Sequence, residues 1–425
     1  MRVLWIVNVP TPEASSLLNI DSTPYGGWLT LTSRVLSESD EIELSIAFPQ
    51  SVDRQKYKLI KGEKIDYYPF KPQNKLNSYD EEELLKILEQ SCPDIVHIFG
   101  TEYSHSSIFS NICIKNNIKF TVSIQGLVSV YSKHYMAHLP AKLMNKYTIK
   151  ELIKRSNLKA QKSNFVKQGV IEKQVIMDSK YIIGRTDWDK ACTEQINDSA
   201  KYFHCNENLR SSFYDGKWNI NTKETHSIFL SQGNYPIKGM HLMLEALFIV
   251  IKKYPNCKLY VAGNNIYKNR TIKEKLKLST YAKYIISLIK KYNLGDKVIF
   301  TGPLNEDEMK KMYLKSHVFV CPSSIENSPN SLGEAMILGV PCITSNVGGV
   351  SNLIEHEKEG YIYQGDAPYM LAYYIEKVFK DDEKTISLSN AAIQKATSTH
   401  NYIKNNFRLI EIYKNILQKG TDEIC

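Results

Sequence analysis

Two carboxylates, Glu326 and Glu334, flank a helix start in the stretch 322–340, PSSIENSPNSLGEAMILGV. Ser328 suits an N-cap and Pro329 the first helical position, where a missing N–H is harmless. On that reading the N–H groups of Asn330, Ser331 and Leu332 have no intrahelical partner, and donors at the positive end of a helix dipole form an anion site. A diphosphate held there would lie between one acidic group before the helix and another about a turn inside it. That order can hold a sugar, a diphosphate and a ribose in a row. Spacing alone carries little, because Glu81 and Glu89 repeat it within a predicted surface helix. Context carries more: a strand at His317–Cys321, the Ser-Pro step, and Gly339 and Pro341 ending the helix.

Such groups need elements to hold them. In the first half, strand-like runs (Val3–Val9, Ile42–Phe48, Ile65–Phe70, Ile95–Phe99, Lys119–Ile124, Tyr181–Ile183, Tyr202–His204) alternate with helical ones at Trp28–Ser39, Glu81–Gln90, Ser106–Lys115 and Asp187–Ile196. The rhythm lapses over 206–225 and resumes with strands at Ile228–Ser231, Lys258–Ala262, Val298–Thr301, His317–Cys321 and Cys342–Thr344. Helices are expected at Gly239–Tyr254, Glu306–Lys315 and Pro329–Leu338. This alternation predicts an α/β protein of two Rossmann-like domains with parallel sheets facing an interdomain cleft, ligands binding outside the carboxyl ends of the strands. The expected boundaries are 1–205 for the first domain, 206–225 for a linker and 226–400 for the second domain. Residues 401–425 form a terminal helix available to pack back on the first domain. A length of 425 residues suits two domains.

The net charge of +9 is concentrated. Residues 133–180 hold eleven Lys or Arg against three acids, and 268–291 hold eight against one. Two basic patches point to a partner surface. No apolar run approaches a membrane span, and Val3–Val9 lacks a cleavage site, so a cytoplasmic protein is expected. The eight cysteines have no metal-type spacing and read as reduced thiols.

With these motifs the chain resembles the retaining glycosyltransferases of GT-B architecture, glycosyltransferase family four. The resemblance implies that Glu326 lies beside the donor sugar, that Glu334 takes the ribose hydroxyls, and that the amides of Ser331 and Leu332 hold the diphosphate. Lys238, in Lys238-Gly239 after the first strand of the second domain, is implied as a cation for the same phosphates. The chain departs from the family pattern at Gln232, where an arginine is usual; an amide donates hydrogen bonds but carries no charge. Arg185 is the candidate substitute, against an alternative reading as a structural ion pair with Asp187 or Asp189. Gly26-Gly27 matches a Gly-rich loop near donor phosphates or acceptor. Gln125-Gly126 stands where the family commonly has a histidine, so a general base at this position is not expected. His134, with His97 and His105, could lie near the same acceptor-side rim, although a packed or solvated histidine is the commoner case.

Lys142, Lys146, Lys150 and Lys154 recur at helical spacing within 139–162 beside Leu139, Leu143 and Tyr147. A basic amphipathic helix here would dock on an anionic membrane surface, making the enzyme peripheral on the inner face of the cytoplasmic membrane. The expected reaction moves a hexose or N-acetylhexosamine from a nucleotide-diphosphate sugar to a hydroxyl of a glycan or lipid-linked glycan, with the anomer retained, in bacterial surface polysaccharide synthesis. No cofactor, metal or nucleic-acid partner is expected. Glu326 either orients donor hydroxyls or stabilises the developing cation, and both covalent and front-face routes stay open. The rivals are a nucleotide-sugar epimerase or phosphorylase of the same fold and a basic nucleic-acid-binding protein.

Overall fold

The computed structural model describes residues 1–21, 26–50, 59–72, 79–267, 271, 274 and 276–418. Two compact units emerge. Unit 1 comprises Met1–Ser129, Lys167–Arg210 and His400–Cys425, and unit 2 comprises Val130–Val166 and Ser211–Thr399. The expected uninterrupted first domain, 1–205, is thus divided: residues 130–166 cluster with the later sequence.

The sheet of unit 1 contains β1 (Arg2–Ile6), β2 (Glu43–Pro49), β3 (Ile60–Lys61), β4 (Asp66–Phe70), β5 (Ile95–Phe99), β6 (Phe120–Ser123), β7 (Tyr181–Gly184) and β8 (Lys201–His204). Their order is β3-β4-β2-β1-β5-β6-β7-β8, parallel except for β3 against β4. Val3, Leu4, Trp5 and Ile6 are all buried, as expected of a central strand covered on both faces. The helix Tyr402–Gln418 completes this core with Leu409, Ile412, Tyr413 and Ile416. The Tyr413 hydroxyl accepts from Trp5 Nε1 at 2.9 Å and meets His97 Nδ1 at 2.7 Å.

Unit 2 contains β9 (Glu224–Leu230), β10 (Lys258–Val261), β11 (Val298–Phe300), β12 (Ser316–Cys321), β13 (Cys342–Ser345) and β14 (Tyr361–Tyr363). The order β11-β10-β9-β12-β13-β14 is parallel throughout. It is the doubly wound order, third-second-first-fourth-fifth-sixth, with its switch point between β9 and β12. The short strands β3 and β14 escape periodicity because two or three residues carry no pattern. Helices at Leu158–Met177, Thr280–Lys291, Pro368–Lys380 and Asp382–Thr399 were not anticipated from the sequence.

The stretch read as a linker, 206–225, is packed rather than loose. Leu209 and Phe213 are fully buried, and Trp218 donates from Nε1 to the Ser316 carbonyl at 2.8 Å. Single large anchors replace periodicity there. The basic helix expected over 139–162 is also corrected. A 3₁₀ turn at Ala141–Leu143, a short helix at Ile149–Lys154 and a third helix from Leu158 divide it. Thr148 closes a capping box with Glu151, and Arg155 adopts a left-handed C-cap, so the chain stops and restarts. Of the second basic run, Lys268, Arg270, Lys273 and Lys275 lie outside the described residues. No helix among the described residues is long and apolar enough to cross a membrane.

Candidate functional site

At the switch point of unit 2, β9 leads through Gln232 into a 3₁₀ turn, Pro236–Lys238, and then the helix Met240–Val250. Gly239 joins the two with φ +68°, and a Cβ there would sit 1.8 Å from the Pro322 carbonyl oxygen. The turn can therefore lie directly on the loop that follows β12, where Ser324 N–H donates to the Ile237 carbonyl at 2.8 Å. The other side of that loop is held by the segment after β13. Gly348 has φ +53°, its Cβ would lie 1.9 Å from the Glu326 carbonyl oxygen, and Gly349 N–H donates to that oxygen at 3.1 Å. Two glycine backbones grip the loop where any side chain would collide.

This grip positions the Glu326 side chain. Lys238 Nζ donates to Glu326 Oε1 at 2.5 Å, and Ser323 Oγ donates to the same oxygen at 2.7 Å. Ser345 Oγ steadies the turn by donating to the Ser323 carbonyl at 2.5 Å. The Lys238 side chain is 20% exposed and that of Glu326 8%. Burial works against the Lys238 charge, but the Glu326 carboxylate outweighs it, so the lysine pKa is raised and the ammonium persists. Cys321, at the end of β12, has its thiol pushed up to about 11 by burial and stays neutral.

The helix start differs from the expected form. The helix is Asn330–Ile337, and Pro329, with ψ 113°, is its cap rather than its first residue. Leu332 N–H already donates to the Pro329 carbonyl at 2.9 Å, so the first turn uses an amide expected to face the diphosphate. Ser331 N–H pairs with no described residue, and the Ser331 carbonyl accepts from Tyr313. Asn330 is half-buried, and Glu334 is buried within the helix. His134 also belongs to unit 2, and its carbonyl accepts from Ser324 Oγ at 3.3 Å. Burial, then the charges of Lys133 and His138, lowers the His134 pKa.

The remaining candidates fall in unit 1. Gly26 caps the helix Gly27–Ser37 with φ +77°, and a Cβ on Gly27 would strike Arg210 Cγ at 2.6 Å. Arg185 is buried and ion-paired with Glu207, while its other terminal nitrogen donates to the Gln125 carbonyl at 2.8 Å. Gln125 Nε2 donates to Glu207 Oε1 at 2.6 Å, with Gly126 following half-buried. The counterion of Arg185 is thus Glu207, where the structural alternative had named Asp187 or Asp189. Asp189 instead accepts from the Arg185 N–H at 2.9 Å. His97 and His105 are core residues with pKa values lowered to about 3 by burial.

Sequence reasoning missed Gly348-Gly349, Ser323, Ser345, Glu207 and Arg210. The Gly-Gly pair just after a predicted strand was a usable signal. Glu207 and Arg210 lay in the stretch without rhythm and offered none.

Residues 212–395 match the family model described as glycosyl transferases group 1. The putative glycosyltransferase YtcC of Bacillus subtilis is 24% identical over 336 residues, 78% of this chain and 74% of that protein. Spore coat protein SA of the same organism is 28% identical over 184 residues, 42% of this chain and 46% of that protein. Among solved structures, Anabaena HepE in complex with UDP-glucose superposes with a TM-score of 0.68 at 14% identity, covering 98% of this chain and 100% of that one.

Proposed function

We propose that this chain, a glycosyltransferase of GT-B fold whose residues 212–395 match glycosyl transferases group 1, transfers a hexose or N-acetylhexosamine from a nucleotide-diphosphate sugar to a glycan hydroxyl with retention of the anomer. The observation that carries the reading is the Lys238–Glu326 pair at the switch point of the six-stranded parallel sheet. In such sheets the crevice beyond the carboxyl ends is where a nucleotide binds. A lysine held charged there stabilises the negative charge that builds on the leaving diphosphate, and the Ser331 amide and the helix dipole add to it. Lys238 then supplies a counter-charge to the diphosphate, and the reaction we propose needs no divalent ion. Glu326, released from Lys238 as the lysine turns to phosphate, orients the donor sugar. Glu334 is assigned the ribose.

That HepE was solved with UDP-glucose supports a uridine-diphosphate hexose as the first donor to try. The basic run at 133–180 supports an acceptor held at an anionic membrane, and so a lipid-linked glycan of bacterial surface polysaccharide on the cytoplasmic face. An epimerase is not favoured, since the matched family is one of transferases. The test is thermal shift with nucleoside diphosphates and their sugars, followed by NMR of the product anomer with chelator present. Stabilisation by a uridine or other nucleoside diphosphate and a retained anomer are expected. If no nucleotide shifts the melt, the reading falls; an inverted anomer or loss of turnover in chelator removes retention or metal independence.

A further inference from the structure

We infer that residues 146–155 form a docking knob for an anionic lipid surface: a short helix fastened from beneath, presenting aliphatic side chains ringed by cations. The helix Ile149–Lys154 is inside out. An ordinary surface helix buries its apolar stripe and exposes its charges. Here the buried side chain is a carboxylate, Glu151, at 1% exposure. The aliphatic chains face outward, with Ile149 at 55%, Leu152 at 66% and Ile153 at 78%, and the neighbouring Tyr147 at 54%.

The inversion is built into the fold. Glu151 accepts from Thr148 N–H at 3.0 Å, from Thr280 N–H at 2.8 Å and from Thr280 Oγ1 at 2.5 Å. Thr280 is the first residue of the helix Thr280–Lys291, so the carboxylate also meets the positive end of that helix. With Glu151 tied inward and its own cap closed, the six-residue helix has no freedom to roll its aliphatic chains under.

Charge names the occupant. Lys142, Lys146, Lys150, Lys154, Arg155 and Lys159 are exposed, and the one acid between 142 and 162 is the buried Glu151. A second copy of this chain would bring like charges face to face. Nucleic acid would meet the cations but leave two isoleucines and a leucine in water. An anionic bilayer satisfies both halves, with aliphatic chains in the interfacial zone and lysines among the headgroups. The inference deepens the proposed lipid-linked acceptor by naming the surface that reaches it, and its test is independent of catalysis.

The experiment is cosedimentation of the full chain with phosphatidylcholine vesicles, with and without phosphatidylglycerol. Wild type should pellet with the anionic vesicles and be released by high salt. Leu152→Ser/Ile153→Ser, with charge unchanged, and Lys150→Gln/Lys154→Gln should each weaken binding roughly tenfold or more. Both variants alter exposed side chains, so melting temperature and the thermal shift with nucleotide should stay at wild-type values. Unchanged vesicle binding in the aliphatic variant overturns the proposal, as does a wild type that never pellets. Retention on duplex DNA without vesicle binding, or a dimer that the aliphatic substitutions disperse, overturns it too. A failed nucleotide shift would sink the transferase reading and leave the vesicle result standing.

Discussion

Lys238 and Glu326 are counterions at 2.5 Å, and a donor phosphate would compete for the lysine. Removing one partner strands a largely buried charge, whereas removing both does not. Lys238→Met should therefore destabilise unit 2 by about 2 kcal/mol, and adding Glu326→Gln should restore part of that loss. Turnover should fall by about a hundredfold or more in both. Urea melts of the double-mutant cycle check the first claim and initial rates the second. Because the folded lysine pKa is raised, the coupling is fully present below the unfolded value of about 10.4 and fades only as pH climbs through the higher folded value. The cycle should read the same at neutral pH as at about pH 9. His105 has the opposite sign. Its ring nitrogens pair with no described residue, it stacks on Tyr103 at 5.3 Å, and burial lowers its pKa to about 3. The unfolded state binds its proton from about pH 6.5 downward, so this site loses stability as pH falls from there. His105→Phe should be near neutral at pH 7.5 and about 1–2 kcal/mol stabilising at pH 5, measured by urea midpoint.

The loop after β12 is defined by what its neighbours lack. Gly239 and Gly348 both hold positive φ and both approach a carbonyl oxygen to within a distance no Cβ tolerates. Gly348→Ala should cost at least about 2 kcal/mol from the left-handed backbone and the overlap together. It should also displace Glu326, whose backbone Gly349 holds. Circular dichroism melts give the first, and loss of donor turnover in the protein that remains folded gives the second; a variant with full stability and full rate would refute the clamp. The elements legible beforehand were those with a period. β5 and the helix Glu306–Lys315 lie where periodicity puts them. The basic helix over 139–162 was misread because lysines at every fourth residue fit a helix equally well when a capping threonine and a left-handed arginine cut it.

At the scale of the molecule, unit 1 takes its last layer from the far end of the chain. Leu409, Ile412, Tyr413 and Ile416 are buried beside Val3 and Trp5. At about 2 kcal/mol for each buried side chain, the helix contributes about 8 kcal/mol, comparable to a whole domain's net stability. Deleting residues 402–425 should leave unit 1 unable to fold cooperatively, seen as loss of soluble protein or of the near-ultraviolet signal from Trp5. A deletion variant melting like the full chain would show that this layer is dispensable. Residues 130–166 were invisible as part of unit 2 because which unit a segment joins depends on contacts remote in sequence, such as Glu151 with Thr280.

Most strands and the helices with a clear apolar period were readable from residue types, because apolar period and turn chemistry are local properties; Glu326 and Glu334 were singled out by the helix start between them, and Lys238 by the resemblance alone. Only the tertiary structure decided that Lys238 pairs with Glu326, that Glu207 occupies Arg185, that Leu332 has lost its amide to Pro329, and that the helix at 149–154 faces outward. Each of those depends on which backbone comes within hydrogen-bond reach, and apart from the Leu332 turn the contacts span from 22 to 129 positions along the chain.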